Sequence, residues 1–207
     1  WVVRSGLEAG ERVVVRGNFK IDSAMQLQGR PSMMSAPAEK GPPAPRAEVD
    51  AAFREALGGV LGAYFDLWLT LAGDDLAGAR ESAALLRKRL DGVDEGSLRF
   101  MDRPDWRRGR RSLERFAGQI EKAQSLEAAR SAFAPLSDAA TRVVTIFGTG
   151  GRAPLYRIHC PMAFDDRGAW WLQSNDKIRN PYFGAAMLKC GTVEATFTGR
   201  KGKGRDG

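Results

Sequence analysis

The side chains capable of metal or thiol chemistry gather in one stretch, Leu155 to Val193, LYRIHCPMAFDDRGAWWLQSNDKIRNPYFGAAMLKCGTV. It holds both cysteines, Cys160 and Cys190, the only histidine, His159, and the methionines Met162 and Met187. Thiolate and thioether sulfur are soft donors that select Cu(I) or Ag(I), and imidazole serves copper and zinc. Sites for Ca2+ or Mg2+ need oxygen ligands instead. Spacing restricts which donors can act together. On a strand, successive side chains point to opposite faces, so Cys160 and Met162 share a side and His159 takes the other. Met187 and Cys190 sit three apart, on one face of a helical turn. The expected site is therefore a sulfur set, Cys160, Met162, Met187 and Cys190, with His159 second. Two cysteines equally allow a disulfide, which would close a loop worth roughly 3 to 4 kcal/mol in the chain-entropy model. A nucleophile pair of Cys160 and His159 is disfavoured, because adjacent strand residues diverge and no acid stands ready to orient the imidazole. Asp165, Asp166 and Asp176 read as turn residues, and no enzymatic activity is expected. The adjacent Met33 and Met34 are a further place where Cu(I) or Ag(I) could rest transiently.

Several short elements must position these donors. Leu155 to His159 alternates apolar and polar residues like a strand. Cys160-Pro161-Met162 turns the chain, and Asp165-Asp166-Arg167-Gly168 turns it again. Trp170, Trp171 and Leu172 are expected to plug the segment onto the rest of the domain. Asn180-Pro181 introduces a helical turn through Leu188, with Pro at its first position. Val193, Ala195 and Phe197 alternate, so a strand here could pair back with Ile158 and bring Cys190 beside Cys160.

Upstream, the period changes to that of helices. Phe53, Leu57, Val60, Leu61, Tyr64, Trp68 and Leu71 define a first apolar face from Val49 onward. Gly58, Gly59 and Gly62 would permit close helix approach there. A second helix is predicted from about Asp75 to Leu90, with Asp74 as its N-cap. A third runs from about Asp105 to Lys122, with Trp106, Leu113, Phe116 and Ile120 inward. A fourth spans about Leu126 to Phe147, with Pro135 a point where it kinks or divides. Four amphipathic helices with short connections predict a mainly α fold, an antiparallel four-helix bundle. A small C-terminal β/loop segment carries the Cys/Met motif.

The chain has 207 residues, 43% hydrophobic, with a net charge of +7. Positive charge permits an anionic partner, but it is dispersed and not interleaved with base-stacking aromatics, so no nucleic acid is expected. No stretch reaches the roughly 18 to 20 apolar residues of a membrane span. Residues 1–30 carry two short strand-like runs, too little for a stable sheet, so they read as the closing fragment of a β domain. The chain is accordingly expected to be a fragment lacking its N-terminal signal or anchor. Residues 31–48 form a Pro/Ala-rich linker, residues 49–197 the helical domain with its motif, and residues 198–207 a disordered basic tail.

Two resemblances fall on these segments. SGLEAGERVVVRGNFKIDSAMQL, within the first 28 or so residues, resembles the segment that closes the membrane-proximal β domain of periplasmic adaptor subunits (membrane fusion proteins) of RND-type efflux pumps. HCPMAFDDRGAWWLQSNDKIRNPYFGAAMLKCG resembles the C-terminal motif of a helical domain of uncharacterised function, often fused to copper/silver efflux adaptors. With its helices, that likeness covers about residues 49–197. Together they imply a periplasmic, homo-oligomeric adaptor that works with an inner-membrane RND pump and an outer-membrane channel. They also imply a role for the motif sulfurs in handling Cu(I) or Ag(I).

Overall fold

The computed structural model describes residues 45–199. The expected β fragment, Met33, Met34, most of the linker and nearly all of the basic tail lie outside them. The chain divides into two compact units, Trp1–Glu39 and Lys40–Gly207, and the described residues belong to the second.

Four long helices open this unit: α1 (Ala51–Ala72), α2 (Leu76–Asp91), α3 (Arg103–Glu121) and α4 (Leu126–Phe147). Three of the four begin at an extended residue with a side-chain cap, and α3 begins instead with Pro104 in its first turn. The Asp50 carboxylate accepts from Phe53 N–H at 2.7 Å, and Ser125 accepts from Ala128 N–H. Such caps satisfy amide groups that the first helical turn leaves without partners. The cap of α2 is Asp75, bonded to Gly78 N–H at 2.9 Å, and not Asp74. Asp74 adopts a left-handed backbone, φ 59°, which turns its carboxylate away from the helix start. Pro135 lies inside α4, which continues unbroken to Phe147.

The helices pack each on the next, α1 on α2, α2 on α3 and α3 on α4. Their apolar stripes meet in one core that buries Trp68, Trp106, Leu57, Leu86, Leu113 and Phe133 almost completely. Phe53 meets Trp106 edge-on at 5.0 Å, and Trp106 meets Phe147 at 5.8 Å. Such aromatic pairs add roughly 0.5 to 1.5 kcal/mol beyond their buried area. Phe116 departs from expectation: it is only half-buried, with the Arg115 guanidinium 4.3 Å above its ring. Ahead of α1, Ala47 is buried and its N–H bonds Ile146 O.

Two of the glycines of α1, Gly58 and Gly62, admit something other than a helix, while Gly59 faces Arg89 of α2. A Cβ on Gly58 would stand 2.4 Å from Gly150 O, and one on Gly62 would stand 2.6 Å from the Arg152 guanidinium. They make room for the loop that follows α4 and for the arginine it carries, whose Nε bonds Gly58 O.

After that loop come three strands: β1 (Leu155–Cys160), β2 (Ala169–Gln173) and β3 (Thr192–Phe197). They form an antiparallel sheet in the order β2-β1-β3. The β1–β2 connection contains a short helical turn, α5 (Ala163–Asp166), in which Phe164, Asp165 and Asp166 are all left-handed. The predicted pairing of the last strand with the first is present, with Ile158 opposite Val193.

Candidate functional site: a thiol pair under a hydrogen-bonded loop

Cys160 ends β1 and is fully buried. Cys190 follows a 3-10 turn, Gly184–Met187, and is half-buried. Both cysteines are free, and their sulfurs are 2.9 Å apart. That is longer than the roughly 2.05 Å of a disulfide bond and shorter than an ordinary thiol hydrogen bond; the two free thiols make a short S–H···S contact. The bond to the Cys160 sulfur, with burial second, pushes the Cys190 thiol up to about 11 from its ordinary 9.0. Cys190 therefore holds its proton at neutral pH, which argues against a nucleophilic role.

The pair meets because the chain between the strands is tied down by Asn180. This asparagine is completely buried. Its amide nitrogen donates to Cys190 O at 2.8 Å, and its side-chain oxygen accepts from Tyr182 N–H and Phe183 N–H. Its backbone bonds Leu188 O through N–H, and its own carbonyl accepts from Gly184 N–H. One residue thus fixes both ends of the loop whose last member is Cys190. Gly191, at φ 144°, follows directly, and a Cβ there would press on Trp171 and Ile158 at 2.8 and 2.9 Å. The next residue enters β3.

The helices anchor the same loop from below. Trp68 Nε1 donates to Arg179 O at 2.7 Å, and Arg130 Nε donates to Pro181 O at 2.9 Å. Arg130 also pairs with Asp74, whose carboxylate accepts from Ala185 N–H at 2.9 Å. The Ala185 amide, then Arg130, hold the Asp74 carboxyl below its ordinary value. Gly184 has φ 57°, and a Cβ on it would collide with this carboxylate. On the free edge of β2, Tyr64 Oη accepts from Leu172 N–H at 3.0 Å, and Tyr182 donates to Trp170 O. Leu172 N–H and Trp170 O on that edge thereby gain partners. Burial drives both phenols well above their ordinary range, so they remain protonated donors.

Of the other expected donors, Met187 is half-buried in the 3-10 turn, and its carbonyl accepts from Cys190 N–H at 3.0 Å. Met162 lies beyond the end of β1, where strand alternation no longer applies, and is 48% exposed. His159 is on the opposite face of β1 from Cys160, as alternation predicts. It stacks on Trp170 with ring centres 4.1 Å apart, and the Arg157 guanidinium lies 4.0 Å from the same ring. The two tryptophans therefore separate. Trp171 is the buried plug, meeting Tyr182 edge-on at 5.8 Å, whereas Trp170 is half-buried on the other face with His159. Among the described residues, no three His, Cys, Asp or Glu side chains converge as a cation site. What converges is a pair of sulfurs. The sequence reading missed Asn180, Arg130 and Asp74 as its organisers. Asn180 before a proline signals a turn, but nothing local ties Asp74 or Arg130 to it.

Residues 60–151 match the model of a family described as a protein of unknown function, DUF3347. The match runs from within α1 to the loop after α4 and stops before the thiol pair. No curated protein matches, and no solved structure matches.

Proposed function

We propose that this chain is the C-terminal part of a periplasmic adaptor of an RND-type heavy-metal efflux pump, and that its helical domain binds or hands over Cu(I) or Ag(I) through sulfur. The observation that carries the reading is the sulfur separation of 2.9 Å between Cys160 and Cys190. Two thiols sharing one hydrogen bond can exchange that proton for a soft cation, because the metal ligand is the thiolate and binding releases protons. Met187, whose carbonyl accepts from Cys190 N–H, is the half-buried thioether that reinforces the pair, and the exposed Met162 serves as an entry donor. The role is ligand exchange, not bond-breaking chemistry, so the domain is no enzyme. The four helices act as an antiparallel bundle that holds the motif, a reading supported by their sequential packing. The adaptor resemblance supplies the rest of the proposal: a homo-oligomer in the periplasm, an inner-membrane pump and an outer-membrane channel as partners, and no nucleic acid.

The test is a titration of the fully reduced chain with Cu(I) or Ag(I) against a competing chelator. One equivalent should bind, and binding should be lost in both Cys160→Ser and Cys190→Ser. Met187→Leu should weaken it by about tenfold, on the order of one good ligand contact. A reduced chain that binds no ion stoichiometrically overturns the proposal.

A second reading is favoured by the way the loop uses its polar groups internally, Asn180 above all. In it, Cys160 and Cys190 lose two protons and two electrons to a periplasmic thiol oxidant and form a disulfide. The domain is then a stabilised interaction module of the adaptor. A chain whose cysteines resist reduction and bind no metal would favour it.

A further inference from the structure

The two most exposed large hydrophobic residues among those described are adjacent. Phe100 is 86% and Met101 72% exposed, against 48% for the next, Met162. They occupy the turn that enters α3, and two neighbouring apolar side chains presented this fully are unusual on a surface with no partner. The helix they introduce is rich in arginine, and its arginines fall into two sets. Arg107 pairs with Glu95, and Arg110 with Asp91 and Glu114. Arg108, Arg111, Arg115 and Lys122, by contrast, are exposed and have no acidic partner among the described residues.

The unpaired set is ordered. Positions 108, 111, 115 and 122 recur at spacings of three, four and seven, which places them on one side of a helix. The row is about 21 Å long at 1.5 Å per residue. Phe100 and Met101 lie in the turn just ahead of the helix, at the end of the row nearest Arg108. Of the positions between its members, Ser112, Gly118 and Gln119 are uncharged, and Glu114, which borders the row, is paired with Arg110. The inward face of α3, with Trp106, Leu113, Ala117 and Ile120, is buried in the core, so the row looks outward with the helix held in place.

We infer that this side of α3 docks on an anionic phospholipid surface, with Phe100 and Met101 inserted among the headgroups and the cationic row lying along them. A continuous cationic row with an apolar tip complements a plane of uniform negative charge. A protein partner would present discrete acids and would leave acids of its own to be matched. One apolar anchor together with a basic patch is also the combination that makes reversible membrane attachment effective. The inference is independent of the metal chemistry proposed above.

The full chain is tested by flotation with vesicles of phosphatidylcholine alone and of phosphatidylcholine mixed with phosphatidylglycerol. Binding is expected only to the mixed vesicles and should fall as salt rises. The combined variant Arg108→Gln, Arg111→Gln, Arg115→Gln should bind about 100-fold more weakly, because each basic residue at an anionic leaflet contributes about fivefold. Phe100→Ser with Met101→Ser should weaken binding by about tenfold at unchanged charge. Replacing the tail cations Lys201, Lys203 and Arg205 by Gln should change it only a few-fold. The substituted side chains of α3 and its entry turn are exposed, and an unchanged melting curve for each variant checks that folding is intact. The inference is overturned if the wild-type chain binds neither vesicle or both equally, if the α3 variant binds like wild type, or if the tail variant alone abolishes binding. Tighter binding to polyglutamate than to the mixed vesicles would also overturn it, by pointing to an acidic protein.

Discussion

The helices and the C-terminal sheet segment are held by different forces. From α1 to α4 the buried contacts are mostly apolar, with Trp106 among Phe53 and Phe147, and the helix backbones satisfy their own hydrogen bonds; the Tyr64–Ser137 hydrogen bond between α1 and α4 is a buried exception. From Leu155 onward the backbone is irregular for long stretches. Buried amides and carbonyls there need partners from outside their own element. They find them in side chains: Asn180 for Cys190 and Tyr182, Trp68 for Arg179, Arg130 for Pro181, Tyr64 for Leu172. The helices form a scaffold that tolerates exchange of one apolar residue for another of like volume. The segment depends on individual donors and acceptors, and the thiol pair inherits that dependence.

Three measurements would break or sharpen this contrast. Trp106→Ala should cost about 3 to 5 kcal/mol of global stability, the usual range for emptying a buried aromatic site. Chemical denaturation should show one cooperative transition moved to lower denaturant, with the sheet segment failing together with the helices. If the segment survived the loss of the helical core, the scaffold relation would be wrong. Asn180→Ala should cost less, about 2 to 3 kcal/mol for buried groups left without partners, and the loss should be local. Hydrogen exchange would then rise at Tyr182, Phe183 and Cys190 while α1 to α4 stay protected. Protection falling evenly across the molecule would dissolve the distinction. The smallest effect is at the thiols. Cys190 has a folded value raised to about 11 from 9.0, so its contribution to stability is complete below pH 9 and is lost as pH rises toward 11. Thiolate absorbance should show that alkaline midpoint in the wild type, and Cys160→Ser should bring it down. A midpoint near 9 in the wild type would mean that the two sulfurs do not share a proton.

The sequence reading reached the helices almost in full because their cause is local. Apolar spacing predicts α4 at the observed Leu126–Phe147, and it predicts most of the faces that are buried. It erred where side chains answer to distant partners. Asp74 looks like a cap, yet it turns left-handed to reach Arg130 and Ala185. Of the glycines of α1, Gly59 faces Arg89 of α2, but Gly58 and Gly62 receive Arg152 and the loop before it. Trp170 and Trp171 look alike in sequence, and the parity of the strand sends them to opposite faces. The same parity correctly parted His159 from Cys160. Applied to Met162 it put the thioether on the side of Cys160, but Met162 stands two residues past the strand's end and is exposed.

By itself, then, the sequence determined where the soft side chains concentrate, which stretches are helical, and that the last strand could return to Ile158. Residue type and short-range period decide those things. Only the tertiary structure decided that two sulfurs thirty positions apart in the chain come to 2.9 Å, with neither methionine enforced beside them by strand geometry. That closeness depends on Asn180, Arg130, Trp68 and Tyr64, contributed by three separate parts of the chain. Each satisfies a buried backbone group that no local pattern marks as in need of a partner.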